Sequence, residues 1–335
     1  MQISVVIPTC NRKARLLSLL NNLDQSVLAV HEVVIADSGD DNLSPEDLTR
    51  FSNLNIQCIK TDKSVCIQRN AAIQKAVSEW IFLCDDDIEV LADYLQKLVS
   101  HVSAYPEVGA VSGLWLEKEN NTWIATHPEN STRQLFWKFI FNLSIWGPVN
   151  CSSNNLLVKK IKQYYNRKGN HITKAGWPVI TDFSGDHFFT PVYSLGASLI
   201  RKELLLRSPF DEVLDRHGIG DNYGVIADLP GGAIRVINNA FVYHHHETTN
   251  RLMRPLQYYR RVLALDYFIQ TKKTIQHAKR SWLLWSLTGN FISFLFSGSK
   301  EMIGANFKSM LRIATGRNPY YKAAKKKQKV IEPVL

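Results

Sequence analysis

The sequence predicts an α/β fold, a mostly parallel sheet flanked by helices, and three observations predict it. Over the first 90 of 335 residues, short apolar runs alternate with helix-like segments, the pattern of βαβ units. Three apolar runs each close on a polar cluster: Pro8-Thr9-Cys10-Asn11-Arg12, Asp37-Ser38 and Asp85-Asp86-Asp87. In open parallel sheets ligands bind at the carboxyl ends of strands, so three clusters at three such ends point to one site. The third observation is the character of the last cluster. Trp80-Ile81-Phe82-Leu83-Cys84, fit for a buried strand, runs directly into three carboxylates. Adjacent negative charges repel, and oxygen-only ligands of this kind suit Mg²⁺ or Mn²⁺. A solvated acidic turn is the plainer alternative.

In order along the chain, Ile3 to Ile7 reads as a buried strand closed by Pro8. A helix is expected from about Arg12 to Leu23, with Leu16, Leu17, Leu19, Leu20 and Leu23 as its apolar face. Val33 to Ala36 and Asn55 to Lys60 read as further strands, Ile67 to Val77 as a helix, and Trp80 to Cys84 as the next strand. Asp93 to Ala104 is an amphipathic helix pattern and Val108 to Leu116 a strand. About Glu117 to Phe189 reads as a long insertion rich in Asn and aromatic residues. Loops of that length tend to be functional. Trp123, Trp137, Trp146 and Trp177 could there meet a ligand, although packing is the commoner role of tryptophan. Ala233 to Ile237 and Ala240 to Tyr243 read as two strands leading into His244-His245-His246. Leu256 to Ile269 reads as a helix, and Trp282 to Phe296 as an apolar stretch too short to span a bilayer.

The formal charge of +10 is unevenly placed: from Arg251 onward there are 17 Lys and Arg against 3 Asp and Glu, before it 23 against 27. A mildly acidic body thus precedes a strongly basic region. With its apolar helix pattern and the five lysines between Lys322 and Lys329, that region fits an anionic membrane surface. A helix packed on the body with a disordered tail is the alternative. The basic residues do not spread over the body and no nucleic-acid motif appears, so no nucleic-acid partner is expected. Five cysteines without CxxC spacing suggest neither a disulfide framework nor a zinc site, and fit a reducing compartment. Met1 leads straight into a strand pattern, so no secretory signal is expected. A cytoplasmic protein, peripheral on the inner face of the membrane, is the resulting expectation.

Several of these stretches resemble glycosyltransferase family 2. Ile3 to Arg12 looks like its opening strand and loop, and Val33-Val34-Ile35-Ala36-Asp37-Ser38 like its second strand. Arg69-Asn70-Ala71-Ala72 is similar to its Arg-Asn-Ala-Gly segment, and Phe82 to Asp87 to its DxD motif. The likeness resumes at Tyr193 to Lys202, a small-residue strand containing Gly196, then at Pro209-Phe210-Asp211-Glu212. Gly220-Asp221-Asn222-Tyr223 stands where the family has Gly-Glu-Asp. Departures are Ala72 for Gly, Asp-Ser-Gly-Asp for Asp-Asp-Gly-Ser after the second strand, and Asn222 where the catalytic Asp falls.

The resemblance implies a GT-A fold, a nucleotide-diphosphate sugar donor (a UDP-sugar favoured) and Mn²⁺ or Mg²⁺. By position, Pro8, Thr9, Asn11, Arg12 and Asp37 would line the nucleoside pocket, and Arg69 and Asn70 the ribose-phosphate side. Asp85 and Asp86 would lie on the donor, and Asp85 and Asp87 would hold the metal. A His after the last strand completes the metal site in related enzymes. His244 is favoured and His246 second, the two sharing one strand face. An amide cannot remove a proton, so Asp221 is the expected base. The implied organisation is a GT-A catalytic domain over 1–250 and a basic helical region over 251–335. The domain comprises a nucleotide-binding half 1–116, the insertion 117–189 and an acceptor half 190–250. The expected activity is metal-dependent inverting transfer to a glycan or lipid-linked glycan, in bacterial cell-surface polysaccharide synthesis. Two other readings stay open: a nucleotidyltransferase, which Pro8 to Arg12 disfavours for want of a glycine, and a non-catalytic basic binding protein on a transferase scaffold.

Overall fold

The structure, a computed structural model, describes residues 1–125, 129–150, 153–245 and 252–335. It begins with β1 (Ile3–Thr9), α1 (Lys13–Asp24), β2 (Glu32–Asp37), the short α2 (Pro45–Leu48), β3 (Ile56–Lys60), α3 (Val65–Lys75) and β4 (Trp80–Cys84). There follow β5 (Ile88–Val90), α4 (Tyr94–Ala104), β6 (Ala110–Glu119), β7 (Thr122–Ile124), α5 (Thr132–Ile140), β8 (Ile145–Trp146) and α6 (Leu156–Lys168). Next come β9 (His171–Ile172), β10 (Pro178–Ile180), β11 (His187–Thr190), β12 (Ala197–Arg201), α7 (Lys202–Arg207), α8 (Asp221–Asp228) and β13 (Ile234–His244). The helices α9 (Arg254–Thr271), α10 (Arg280–Phe296), α11 (Lys300–Ala314) and α12 (Pro319–Lys325) complete the order.

Among the described residues ten strands form one mixed sheet in the order β11-β13-β6-β12-β4-β1-β2-β3, with β5 added on β13 and β7 on β6. β3, β2, β1 and β4 run parallel, β12 opposes its neighbours β4 and β6, β6 and β13 run parallel again, and β11, β5 and β7 are antiparallel to the strands they join. β1, β2 and β4 are buried along their whole length, as continuous apolar runs in a sheet covered on both faces require. On one face, Leu16, Leu19 and Leu20 of α1 and Leu95 and Leu98 of α4 close the core. On the other, Ile73 of α3, Val225 and Ile226 of α8 and Val262 and Leu263 of α9 do so. From β1 the chain first goes to β2 on one side and later returns as β4 on the other. Such a reversal opens a crevice at the carboxyl ends of the two central strands.

Three expectations need correction. Residues 117–189 are not a loop: β8, β10 and β9 make a small second sheet over a core of Leu135, Ile145, Val149, Ile161, Tyr165 and Val179. Its signal is weak because β8 and β9 are two residues long and α6 shows only Val158, Ile161 and Tyr165 as buried positions among lysines. The two strands expected near 233–243 are one, β13, with a register shift between Ile237 and Phe241 that accommodates Asn238 and Asn239. Nor does the core break at residue 250. Tyr259, Val262, Leu263 and Phe268 of α9 share a cluster with Tyr223 and Val225 of α8, with α11 packed on α9 and α10 on α11. Of the large apolar residues of 282–296, Leu283 and Leu287 are buried. Trp285, Leu295 and Phe296 stay exposed, as do Phe307 and Leu311 of α11. Among the described residues no helix is long and apolar enough to cross a membrane.

Candidate active site

A cleft of about 520 Å³ opens where β1 and β4 end. Pro8 and Thr9 line it from β1 and Arg12 from the loop after it, Ser38 follows β2, Gln68 and Arg69 come from α3, Asp85 to Asp87 follow β4, and 216–222 lead into α8. Gln68 fixes the two strand ends relative to each other, its amide donating to Thr9 O at 2.6 Å and Ala36 O at 2.8 Å.

The three aspartates fan apart. Asp86 turns inward, 5 % exposed, and accepts from the Thr9 hydroxyl and from Arg12 Nη1, both at 2.8 Å. Burial raises its carboxyl to about 6, with Arg12 pulling the other way. Asp87 takes Arg12 Nη1 at 3.1 Å and faces His244 Nε2 at 3.6 Å. Burial opposes the Asp87 anion, but His244 and Arg12 outweigh it and hold the carboxyl below its ordinary value. Asp85 points the third way, its Oδ1 2.5 Å from Arg69 Nη2. A side chain at position 196 would collide with the Asp85 carboxylate, so Gly196, whose carbonyl accepts from Asp85 N–H at 2.8 Å, has to lack one.

Arg69 joins the two halves of the site. Its guanidinium packs 5.0 Å from the Phe210 ring, pairs with Asp85 through one nitrogen and with Asp221 through another. Asp221 opens α8 and is 7 % exposed. Burial raises its carboxyl to about 6, against the pull of Arg69 and of Asn222 N–H, which donates to its Oδ1 at 2.7 Å. Asn222 lines the same cleft, and its buried Oδ1 finds no hydrogen-bond partner among the described residues.

β13 delivers His244 beside Asp87, with Glu117 of β6 3.6 Å from its other ring nitrogen and Trp115 against its face. Burial pulls this imidazole down, but the two carboxylates outweigh it and lift it to about 9. His245 turns away to Glu89 at 2.8 Å, and His246, the second metal candidate, lies outside the described residues. Among the described residues no three His, Cys, Asp or Glu side chains converge as a ready metal set. Asp87 and His244 nevertheless suit a divalent ion that takes one or two protein donors and completes its shell from substrate phosphates and water. Asp85 is paired with Arg69 instead.

Other expected residues serve the frame. Asn70 does not face the cleft: its amide donates to Phe210 O at 2.9 Å and Glu212 at 3.0 Å and accepts from Phe210 N–H at 3.0 Å, pinning the 209–212 turn. Asn11, in the left-handed region at φ 55°, accepts from Asp40 N–H at 2.7 Å and so shapes the second loop instead of lining the pocket. Asp37 sits behind Ser38, bound to Gly39 N–H at 2.8 Å. Trp123, Trp137, Trp146 and Trp177 do not line the cleft; Trp177 donates to Ser286 at 2.7 Å and Trp123 packs on Tyr243. Lys63, Arg216 and His217 do line it and were not anticipated. The glycines of Gly218-Ile219-Gly220 signalled the loop bringing the last two, although the sequence shows only a turn there.

Residues 4–165 match the family model described as Glycosyl transferase family 2. The match covers just under half of the 335-residue chain, its amino-terminal part. Over 104 residues the chain is 29 % identical to the uncharacterized glycosyltransferase YwdF of Bacillus subtilis (strain 168). That match covers 30 % of this chain and spans 38 % of the length of YwdF. The fold is similar to that of S. aureus TarS 1–349 in complex with UDP-GlcNAc, at a TM-score of 0.55 and 14 % identity over 98 % of this chain and 93 % of that one. The same protein in complex with UDP gives a TM-score of 0.53 and 14 % identity over 100 % and 94 %. The expected GT-A arrangement, a mixed and mostly parallel sheet flanked by helices, is the one this chain adopts.

Proposed function

We propose that this cleft transfers a sugar from a nucleoside diphosphate sugar to an acceptor hydroxyl, inverting the anomeric carbon. The observation that carries the reading is the Arg69 bridge, which sets carboxylates from two distant stretches, Asp85 and Asp221, on one cleft at the strand ends. Asp221 is the base. A carboxyl near 6 is ionised at neutral pH and still basic enough to take a proton as the acceptor oxygen attacks. Arg69 orients it, and Arg12 and Arg69 place positive charge beside the departing diphosphate.

Asp87 and His244 would hold Mn²⁺ or Mg²⁺, which when bound neutralises charge on the leaving nucleoside diphosphate. His244 must release its proton to ligate, so ion affinity should rise with pH. The fold shared with a protein solved with UDP-GlcNAc and with UDP supports a nucleotide-sugar donor, a UDP-sugar first. The basic region and the exposed Trp285, Phe296, Phe307 and Leu311 support a place on an anionic membrane surface, at the inner face of the cell membrane. There the acceptor would be a glycan or lipid-linked glycan of bacterial cell-surface polysaccharide synthesis. Asp221→Asn tests the core of the proposal: donor binding should persist while transfer is lost, and retained transfer would put the base elsewhere.

A further inference from the structure

We propose that residues 328–333 strap down the loop that carries Asp221, and that Glu332 is the positioning residue of this strap. The segment comes from the basic region, yet its backbone is hydrogen-bonded to the body. Val330 N–H donates to Glu212 O at 2.7 Å and Ile331 N–H to Val213 O at 3.1 Å, laying the strap along the turn before the loop. Val330 holds φ at 49°, a conformation that a β-branched residue keeps only under constraint from its surroundings.

Glu332 then grips the loop itself. Its Oε1 accepts from Arg216 N–H at 3.0 Å, and its Oε2 lies 2.6 Å from Arg260 Nη1. Arg260, 3 % exposed, donates through Nε to Pro333 O at 3.1 Å and stands 3.4 Å from Asp215, which is fully buried and accepts from the Tyr320 hydroxyl at 3.0 Å. Beyond Arg216 the bonds run on without a gap. Val65 N–H, opening the helix of Arg69, donates to Arg216 O at 3.0 Å; Gly218 N–H donates to Asp215 O at 2.7 Å and Asp221 N–H to Gly218 O at 2.9 Å. Gly218 and Gly220 sit at φ 62° and 95°. Two glycines leave this loop conformationally permissive, so its position has to be imposed from outside. Glu332 imposes it on one side and α3 on the other.

The effect on turnover rests on the reading of Asp221 as base; the strap itself does not, and the experiment separates them. Glu332→Gln in the full chain removes the charge and keeps the shape, and Arg260 retains Asp215, so the fold should hold. Amide hydrogen exchange over 213–222 reports the strap directly, with faster exchange expected at Gly218 and Asp221 in the variant. Steady-state transfer reports the consequence: kcat should fall about 10- to 100-fold with donor KM within about 3-fold, because displacing a reacting group by about 1 Å costs rate more than binding. Glu332→Asp, which keeps the carboxylate, should recover part of the rate. Unchanged exchange would overturn the strap. Faster exchange with unchanged kcat would overturn the positioning role, and so would equal kcat losses in Gln and Asp variants. Faster exchange in the variant, with the wild-type chain itself transferring no sugar, would uphold the strap and refute the Asp221 reading instead.

Discussion

Asp221→Asn should change the stability of the protein in a pH-dependent way, and the size of the change follows from burial. The folded protein raises the Asp221 carboxyl from 3.8 to about 6, chiefly by burial; Asp85 and Asp215 add to the rise and Arg69 opposes it. The folded state therefore holds this proton more tightly than the unfolded chain. Its contribution to stability is fully present below pH 3.8 and is lost as pH rises through about 6. At 1.36 kcal/mol per pH unit the whole loss is about 3 kcal/mol, of which about 2 kcal/mol falls between about pH 4.5 and about pH 7.5. Asparagine carries no charge at any of these values, so the variant should gain about 2 kcal/mol on the wild type across that interval. Comparison of the two chains is essential, because His101 and His171, both lowered to about 4 by burial first, act in the opposite direction in the same window. They and Asp86 are common to both chains and cancel. Urea unfolding at the two pH values measures the difference. A flat difference, or a variant that loses ground as pH rises, would mean that Arg69 keeps Asp221 ionised through acid pH and would refute the reasoning.

Arg69→Met should cost about 3–5 kcal/mol, because it leaves the buried Asp221 without its cation. A urea-unfolding loss below about 1 kcal/mol would show that the bridge does not hold the two halves of the site together. Trp285→Ser combined with Phe307→Ser should release the chain from anionic liposomes in a sedimentation assay without lowering donor binding. Undiminished sedimentation would separate membrane attachment from this face.

The parts of the fold legible in the sequence are those where one physical demand dominates. β1, β2 and β4 are buried on both faces, so they are formed by mostly apolar runs, with the buried Ser4 and Glu32 hydrogen-bonded to each other, and the charges following the runs mark the strand ends. Asp85 to Asp87 were conspicuous for that reason, but their division of labour was not. Backbone direction after β4 sends Asp86 inward to Thr9 and Arg12, and no local pattern encodes that. Asn70 stood in a recognisable motif, yet its amide holds the 209–212 turn, a contact across 140 residues that sequence spacing cannot show. α8 was hidden because Gly218 and Gly220, which bend the chain into it, read as a turn ending structure rather than one starting a helix. The strap was hidden by composition: five lysines suggest a solvated tail, while its anchors are Glu332, the Pro333 carbonyl, the backbone N–H groups of Val330 and Ile331, and the Lys329–Glu212 pair.

The account stands most directly on nucleotide binding at the strand ends. Calorimetric titration of nucleoside diphosphates, UDP first, into the full chain with Mn²⁺ should show binding that the ion strengthens, and Asp87→Ala should remove that strengthening. Equal Mn²⁺-dependent binding by wild type and Asp87→Ala would contradict the placement of the metal and the donor diphosphate in this cleft.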